Sequence, residues 1–403
     1  MTFIFDKASR MSTRSGVVPA ARHRRLPRVV APLSSAALLV LAACSSGGGS
    51  SPAPATPGPV MTTDGGVMPA PEAGVTLTDA EQRAKAVQAM HDALLVDVQA
   101  LSQAVSDLKD AAPTPADRGW DKTLDAAAIT SMRAAWVRAR TAYEHIEGAL
   151  APLFPDIDVS IDARYDDFLT NLGAAGDAYL FDDQGVVGMH AVERVLYADI
   201  IPARVVTFEM SLQGYVAAAM PATALEAADF KNKLCARLVA DTKTLLGEWT
   251  PAKIDVAIAY SGLVSLVEEQ REKVVKASTS EEESRYSQRT MTDLRDNLAG
   301  TKTAYAVFQP WLLSKTNGGA DLDRDILAGF GRLDAAYSQV QGEAIPAPPA
   351  TWSAEAPSAA DLMTPFGQLY ASVTAQVDRA KPDSVVSKLD TAGTLLGFAV
   401  PGK

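Results

Sequence analysis

Residues 140–150 read Arg-Thr-Ala-Tyr-Glu-His-Ile-Glu-Gly-Ala-Leu, and residues 302–312 read Lys-Thr-Ala-Tyr-Ala-Val-Phe-Gln-Pro-Trp-Leu. The two stretches align without a gap at an offset of 162 residues. Each lies late in a long segment of helical periodicity, and each ends at a proline or shortly before one. Duplication of a helical unit is the simplest explanation of such a repeat. The sequence therefore predicts two related helical bundles.

Helical periodicity extends through most of the chain after residue 76. Thr78 stands three residues before Glu81, which is the spacing of a capping box at a helix start. No segment has convincing strand periodicity, so we predict an all-α fold. The predicted helices lie at about 78–113, 124–150, 162–172, 186–199, 204–219, 223–247, 252–278, 281–314, 321–341 and 359–379.

The two copies of the repeat differ at an acidic pair. Glu144 and Glu147 of the first copy are replaced by Ala306 and Gln309 in the second. Glu147 lies on the same helical stripe as Tyr143, which is predicted to be buried. A carboxylate on an apolar face is costly unless it is paired or holds a cation. Both explanations remain open: a glutamate satisfied by an arginine or tyrosine, or a metal ligand.

Residues 188–199 contain a second candidate group. His190 and Glu193 are three residues apart in a predicted helix, so their Cβ atoms lie roughly 5–6 Å apart on one face. An imidazole nitrogen and a carboxylate at that separation can hold one metal ion. The same spacing also arises in helix-surface contacts that hold no metal. Asp162 stands near a predicted helix start between the two motifs, where it can point into the same pocket.

Three motifs occur in an order that resembles the imelysin family. They are Tyr-Glu-x-Ile-Glu at 143–147, Ile-Asp-x-Arg at 161–164 and Gly-x-His-x-x-Glu at 188–193. The later run Asp-Leu-Arg-Asp-Asn-Leu at 293–298 is similar to the second half of that family. Its members include imelysin-type peptidases and EfeO-like periplasmic components of iron uptake. The resemblance covers roughly residues 78–380 and implies two four-helix bundles with a metal site in the first.

The resemblance also implies a ligand set and one departure from the family pattern. Its candidates in this chain are Glu144 or Glu147, Asp162, His190 and Glu193. The 28 residues from Asp162 to His190 look longer than in EfeO-like proteins, with an insertion near 173–183. Three aspartates in or near that insertion are therefore possible substitutes for Asp162: Asp177, Asp182 and Asp183.

The donor types favour metal binding over catalysis. One imidazole with several carboxylates suits a hard cation, and we expect iron, with zinc or calcium as alternatives. No His-Glu-x-x-His motif is present, and no catalytic residue is assigned. We expect a cell-envelope lipoprotein that serves metal uptake, with an iron permease or another envelope protein as partner. The alternatives are an imelysin-type metallopeptidase and a docking lipoprotein that binds no metal.

The N-terminus has the pattern of a lipoprotein signal peptide. A basic region precedes an apolar run at 29–43, which ends Leu-Ala-Ala before Cys44. A run of this length is too short for a permanent transmembrane helix. We therefore predict cleavage after residue 43 and acylation of Cys44, which would anchor the protein to a membrane on the periplasmic or cell-surface side. The alternative is an ordinary signal peptide with an incidental cysteine.

The remaining chain divides into a linker, a helical domain and a tail. Residues 44–75 are rich in Ser, Gly, Pro and Ala and predict a disordered tether. The helical domain is predicted at 76–380, with bundles at about 76–220 and 221–380, before a tail at 381–403. Without residues 1–43 the chain has 30 basic and 47 acidic side chains, a net charge of −17. Such a charge repels nucleic acid and attracts cations, so we expect no nucleic-acid partner.

Overall fold

The computed structural model describes residues 77–173 and 176–398. The predicted signal peptide, the lipidation site Cys44 and nearly all of the predicted linker lie outside these residues. The described residues form helices and connecting turns without a β-strand, so the all-α prediction is confirmed. None of these helices is both long enough and apolar enough to span a membrane.

The α-helices follow one another in a simple order along the chain. They are α1 (Asp79–Ala111), α2 (Ala126–Leu153), α3 (Pro155–Asp162), α4 (Tyr165–Leu172), α5 (Gly188–Leu196), α6 (Ala203–Glu209), α7 (Ala224–Asp229), α8 (Cys235–Glu248), α9 (Val256–Lys276), α10 (Thr290–Leu313), α11 (Gly319–Ser338), α12 (Ala359–Leu362), α13 (Pro365–Val377) and α14 (Val385–Leu395). A single π-helical turn, Phe230–Leu234, joins α7 to α8.

The start of α1 has the predicted capping box. The backbone N–H of Glu81 donates to Thr78 Oγ1 at 3.3 Å, and the backbone N–H of Thr78 donates to Glu81 Oε2 at 2.8 Å. These two bonds satisfy amide groups that have no partner within the helix. The local sequence therefore predicted this helix start correctly.

Helix α2 is the central element of the fold. It packs against α1, α3, α5, α9 and α10. Helix α8 packs against α1, α3 and α5, whereas α11, α13 and α14 pack against α9, α10 and one another. One continuous apolar cluster runs through both groups of helices. The predicted division near residue 220 would separate α8 from its neighbours, and that division stays a prediction.

The aligned tyrosines of the repeat make equivalent contacts. Tyr143, late in α2, donates its hydroxyl proton to Asp158 on α3. Tyr305, late in α10, donates to Asp323 Oδ1 on α11 at 2.8 Å. In both cases a long helix is tied to the next helix of the chain by the same type of bond, as a duplication would produce.

Two glycines let α2 approach α9 and α10 closely. A Cβ atom added to Gly262 of α9 would lie 1.9 Å from the carbonyl oxygen of Gly148. A Cβ atom added to Gly300 of α10 would lie 2.2 Å from the carbonyl oxygen of His145. Since heavy atoms cannot approach so closely, only glycine fits at either position. The short interaxial distance brings polar side chains of α9 and α10 against the acidic part of α2.

The predicted helix 281–314 begins later in the structure. Helix α10 starts at Thr290, and residues 277–289 form a loop. Ser280 and Gln288 have φ angles of 68° and 59°, in the left-handed region that a right-handed helix excludes. The sequence prediction was wrong here because the acidic run at 281–283 resembles an exposed helix face, whereas Glu282 and Glu283 are buried.

Two further predictions differ from the structure near chain turns. The predicted helix 204–219 ends at Glu209, and Gly214 follows with a φ of 81° in a turn. The predicted tail contains α14, whose N-cap Ser384 accepts a hydrogen bond from the backbone N–H of Ser387. Val385 and Leu389 of α14 are fully buried. The burial of these side chains makes α14 part of the core instead of a tail.

We predict that Gly300→Ala lowers the free energy of unfolding by about 1–3 kcal/mol or more, because the new methyl group collides with the carbonyl of His145. Urea unfolding followed by circular dichroism measures the effect. The matched control is Gly331→Ala on α11, where an added Cβ meets no atom within 4 Å. Its stability should be unchanged or higher by up to about 1 kcal/mol. Equal midpoints for both variants would contradict the close crossing of α2 and α10.

Candidate metal centre

A group of charged side chains lies where α2, α5, α9, α10, the end of α3 and the loop 277–289 meet. Most of them are buried, and Asp162 is half-buried. We refer to them as the charged centre. Its members are the carboxylates Glu144, Glu147, Asp162, Glu193, Glu283 and Asp293, the imidazole of His190, and the cations Arg140 and Lys273.

Three of these carboxylates form an acidic triad. One oxygen from each of Glu144, Glu283 and Asp293 lies within 4.8 Å of the other two, and all three residues are buried. They come from α2, from the loop 277–289 and from α10. In the described part of the chain, this is the group of histidine, cysteine and acidic residues whose donor atoms are close enough to share one ion.

The sequence predicted only one member of this triad. Glu144 was a candidate because the second copy of the repeat lacks it. Asp293 begins the motif at 293–298 that resembles the second half of the family, which is the signal that could have identified it. Glu283 carried no usable signal, because its burial depends on the conformation of the loop. Both residues were missed because neither lies near the predicted ligands in the sequence.

The guanidinium group of Arg140 lies among the triad carboxylates. It forms ion pairs with Glu144 and Asp162 on either side. Its Nη2 atom lies 3.1 Å from Glu283 Oε2, and its Nε atom lies 3.6 Å from Asp293 Oδ1. Arg140 is 1 % exposed, so these contacts are made away from bulk water. One cation therefore contacts all three carboxylates of the triad.

His190, Glu193 and Asp162 lie side by side next to the triad. His190 Nδ1 is 3.0 Å from Glu193 Oε2, as the three-residue spacing on α5 predicts. His190 Nε2 is 3.4 Å from Asp162 Oδ1 and makes no hydrogen bond. Glu193 Oε1 also accepts a hydrogen bond from the backbone N–H of Ser287 at 2.8 Å. Asp162 connects this group to the triad through its ion pair with Arg140.

Glu147 is held by a lysine and an amide. Lys273 Nζ lies 3.0 Å from Glu147 Oε2 and 3.0 Å from Glu283 Oε2. Asn297 donates its side-chain N–H to Glu147 Oε2 at 2.8 Å and also to Glu144. Lys273 in turn donates to Asn297 Oδ1 at 2.8 Å. The charge of Glu147 is thus balanced by Lys273, and its Oε2 atom also accepts a hydrogen bond from Asn297.

The three aspartates considered as substitutes for Asp162 make local contacts in their own loop. Asp177 accepts a hydrogen bond from the backbone N–H of Val186 at 3.0 Å. Asp182 accepts one from the backbone N–H of Gln184 at 2.9 Å. Asp183 accepts one from the side-chain amide of Gln184 at 3.1 Å. These bonds shape the segment before α5, whereas Asp162 contacts His190 and Arg140 directly.

Burial and neighbouring cations divide the carboxylates into two classes. Burial raises the pKa of Glu144 well above its usual range despite the nearby Arg140, and it raises the pKa of Asp293 to about 7. For Glu283, burial is outweighed by Lys273 and Arg140, and its pKa falls to about 2. The pKa of Asp162 is also lowered, because Arg140 and His190 outweigh its burial. The available cations therefore satisfy only some of the buried carboxylates.

The surroundings of His190 raise its pKa and so favour the charged imidazolium. Burial alone lowers its pKa, but the nearby Asp162 carboxylate and the hydrogen bond to Glu193 outweigh burial and raise the pKa to about 9. The imidazole is therefore protonated at neutral pH when no metal is bound. A metal ion would have to replace that proton, so metal binding should strengthen as the pH rises.

The donor set fits a hard multivalent cation. Buried atoms without a hydrogen bond include Glu144 Oε1, Asp293 Oδ2 and His190 Nε2, although Glu144 Oε1 is ion-paired with Arg140. Buried polar atoms without partners are rare in proteins, and they often mark a place where an ion or water binds. A ligand set of carboxylate oxygens and one imidazole nitrogen suits iron, manganese or calcium. It differs from the thiolate ligands of a typical structural zinc site.

We predict that metal-free protein loses stability as the pH rises from about 6.5 to 9. The pKa of His190 is higher in the folded state than its ordinary value of 6.5, so its contribution is complete below 6.5 and disappears near 9. The expected loss is on the order of 3 kcal/mol. Urea unfolding of chelator-treated protein across this range measures it. Asp293, whose pKa is raised to about 7, contributes a decline of its own at the start of this window. In His190→Gln the decline should therefore be smaller without vanishing, and an equally steep decline would contradict the assignment.

The chain is similar to known proteins in sequence and in structure. Residues 87–377 match the family model for imelysin, a peptidase family, and this match confirms the resemblance inferred from the motifs. A solved imelysin-like protein from Psychrobacter arcticum 273-4 has a similar fold, with a TM-score of 0.52 and 14% sequence identity. The similarity covers 80% of this chain and 98% of that one. A comparison with curated proteins gave no match.

Proposed function

The chain belongs to the imelysin family, and we propose that it binds one multivalent metal cation at the charged centre and serves metal uptake. Iron is our first choice, with zinc or calcium as alternatives. The acidic triad Glu144, Glu283 and Asp293 supplies oxygen ligands. His190 and Glu193 remain candidate ligands next to the triad, as do Asp162 and Glu147.

The observation that carries this proposal is the imbalance of buried charge. Six carboxylates meet two permanent cations and one histidine in the charged centre. Burying a carboxylate without a counter-charge costs several kcal/mol, and the group usually takes up a proton instead. A bound metal cation supplies the missing positive charge and removes the need for those protons. This demand for positive charge favours a metal site over a purely structural cluster.

The closed environment of the donors favours binding over peptide cleavage. A metallopeptidase needs an open coordination position that substrate and water can reach. Glu144 and Glu193 are fully buried, and His190 is 1 % exposed. A peptide bond cannot reach these atoms without a large rearrangement. We therefore keep the metallopeptidase as the second candidate, which the family name supports, and the metal carrier as the first.

The predicted location follows from the N-terminal sequence. Acylation of Cys44 would tether the helical domain to a bacterial membrane through the linker at 44–75, on the periplasmic or cell-surface side. A tethered metal carrier would pass its ion to an iron permease or another envelope protein. Labelling with a radioactive fatty acid tests this anchor, because Cys44→Ala should abolish the label.

We predict that chelator-treated protein binds one equivalent of Fe²⁺ or Mn²⁺ with high affinity. Asp293→Asn removes the negative charge of one triad carboxylate and should weaken metal binding by at least about tenfold. His190→Ala should weaken it as well if the imidazole is a ligand. Isothermal titration calorimetry under anaerobic conditions measures both affinity and stoichiometry. Metal analysis of protein purified without chelators identifies the ion that the cell supplies.

The matched control is Asp323→Asn on α11. Asp323 is also a buried carboxylate, but it accepts hydrogen bonds from Tyr305 and Gln309 in the second half of the chain. Its substitution should leave metal affinity unchanged. Absence of metal binding by the parent protein would overturn the proposal. Chelator-sensitive cleavage of a peptide panel, lost in Glu193→Gln, would instead establish the metallopeptidase.

A further inference from the structure

We propose that Arg140 is an internal competitor for the metal, because its guanidinium group stands at the position where the cation binds. The inference rests on the proposed function and goes beyond it. Metal binding requires the guanidinium to move away from the triad, so Arg140 sets both the affinity of the site and the charge that an ion needs to enter it.

The first observation is the set of groups that Arg140 contacts. Its guanidinium is paired with Glu144, lies 3.1 Å from Glu283 and lies 3.6 Å from Asp293. These are the three carboxylates whose oxygens are close enough to share one ion. A structural arginine commonly pairs with one carboxylate in a two-point contact. Here one guanidinium is shared among all the triad carboxylates, as a metal ion would be.

The second observation is that the hydrogen-bonding capacity of Arg140 is incompletely used. Its Nε atom is buried and has no hydrogen-bond partner. A guanidinium has five N–H donors in a fixed planar arrangement, and a dedicated site satisfies them with matching acceptors. The triad does not match this planar arrangement. Incomplete pairing reduces the free energy that is lost when the guanidinium leaves.

The third observation comes from the repeat. Lys302 occupies the position of Arg140 in the second copy, and its side chain is 40% exposed. Lys302 Nζ pairs with Asp334 Oδ2 at 2.7 Å, at a partly exposed position. The helical unit therefore does not need a buried cation at this point of its long helix. The buried environment of Arg140 arises together with the acidic pair Glu144 and Glu147, which the second copy lacks.

Lys273, the other cation of the charged centre, has a different role. Its Nζ atom lies 3.0 Å from Glu147, 3.0 Å from Glu283 and 2.8 Å from Asn297 Oδ1. Three short contacts use the three N–H donors of an ammonium group. Lys273 also lies 3.7 Å from Glu144. We assign Lys273 to positioning Glu147 and Glu283, and we assign the displaceable charge to Arg140.

Competition with a guanidinium selects for the charge of the incoming ion. Arg140 carries one permanent positive charge that it does not lose at physiological pH. A monovalent ion gains no electrostatic advantage by replacing it, whereas a divalent or trivalent ion does. The ligand is therefore a multivalent cation, and Na⁺ and K⁺ should not compete with it for the site. Displacement also gives the protein two states, with the guanidinium inside or outside the triad.

The test compares metal affinity in Arg140→Met and the parent protein. Methionine keeps much of the apolar stem and removes the charge, so the triad loses its internal competitor. We expect Mn²⁺ to bind Arg140→Met about tenfold or more tightly than the parent, measured by calorimetry on chelator-treated full-length protein. Without metal, the variant should have a lower melting temperature, and Mn²⁺ should raise that temperature by more than in the parent.

The matched control is Arg133→Met, seven residues earlier on α2. Arg133 is half-buried and pairs at 2.7 Å with Oδ1 of Asp199, a residue outside the charged centre. Its substitution should lower stability without tightening Mn²⁺ binding. If Arg140→Met does not fold, Arg140→Lys decides the question. A lysine keeps one charge but cannot contact all the triad carboxylates at once, so affinity should rise about threefold or more.

The outcomes separate this inference from the proposed function. Unchanged or weaker Mn²⁺ binding by the folded Arg140 variants, with binding by the parent intact, overturns the competitor role. Arg140 would then support the ligands. Tighter binding in Arg133→Met as well would also overturn it, because the effect would not depend on the triad. If neither the parent nor an Arg140 variant binds Mn²⁺ or Fe²⁺, the metal-binding function itself is overturned.

Discussion

Glu144 and Glu147 on the central helix α2 impose an electrostatic constraint that the surrounding structure has to meet. Both carboxylates are buried, and Glu144 is completely inaccessible to water. A carboxylate in that environment requires a hydrogen-bond donor, a counter-charge or a proton. The neighbouring helices provide all three, since Asn297 donates to both glutamates, Lys273 lies beside both, and the pKa of Glu144 is raised.

The glycines at the helix crossings make this arrangement possible. Gly262 and Gly300 remove the side chains that would hold α9 and α10 away from α2. Because the backbones approach so closely, short polar groups such as the amide of Asn297 can reach the acidic pair directly. The same close packing keeps water out, which strengthens each ion pair and raises the cost of each unpaired charge. The close crossings of α2 with α9 and α10 thus account both for the tight packing and for the burial of the unbalanced charges.

The loop 277–289 completes the centre at a conformational cost. Two of its non-glycine residues adopt left-handed backbone angles, which are uncommon and unfavourable for such residues. Ion pairs and hydrogen bonds between this loop and earlier parts of the chain offset that cost, including Arg285 with Asp166 and Tyr286 with Glu209. Strain maintained by buried polar contacts is common at functional sites. In this loop the strained backbone conformation places Glu283 in the triad.

The sequence by itself determined the features that depend on near neighbours. Helical periodicity, the capping box at Thr78 and the contact between His190 and Glu193 all follow from spacings of three or four residues. Tertiary structure alone decided that Glu283 and Asp293 join Glu144 and that Arg140 lies among them. Those contacts depend on the crossing distance of α2 and α10 and on left-handed backbone angles in a loop. No local pattern encodes either, because both depend on packing between segments that are far apart in the chain.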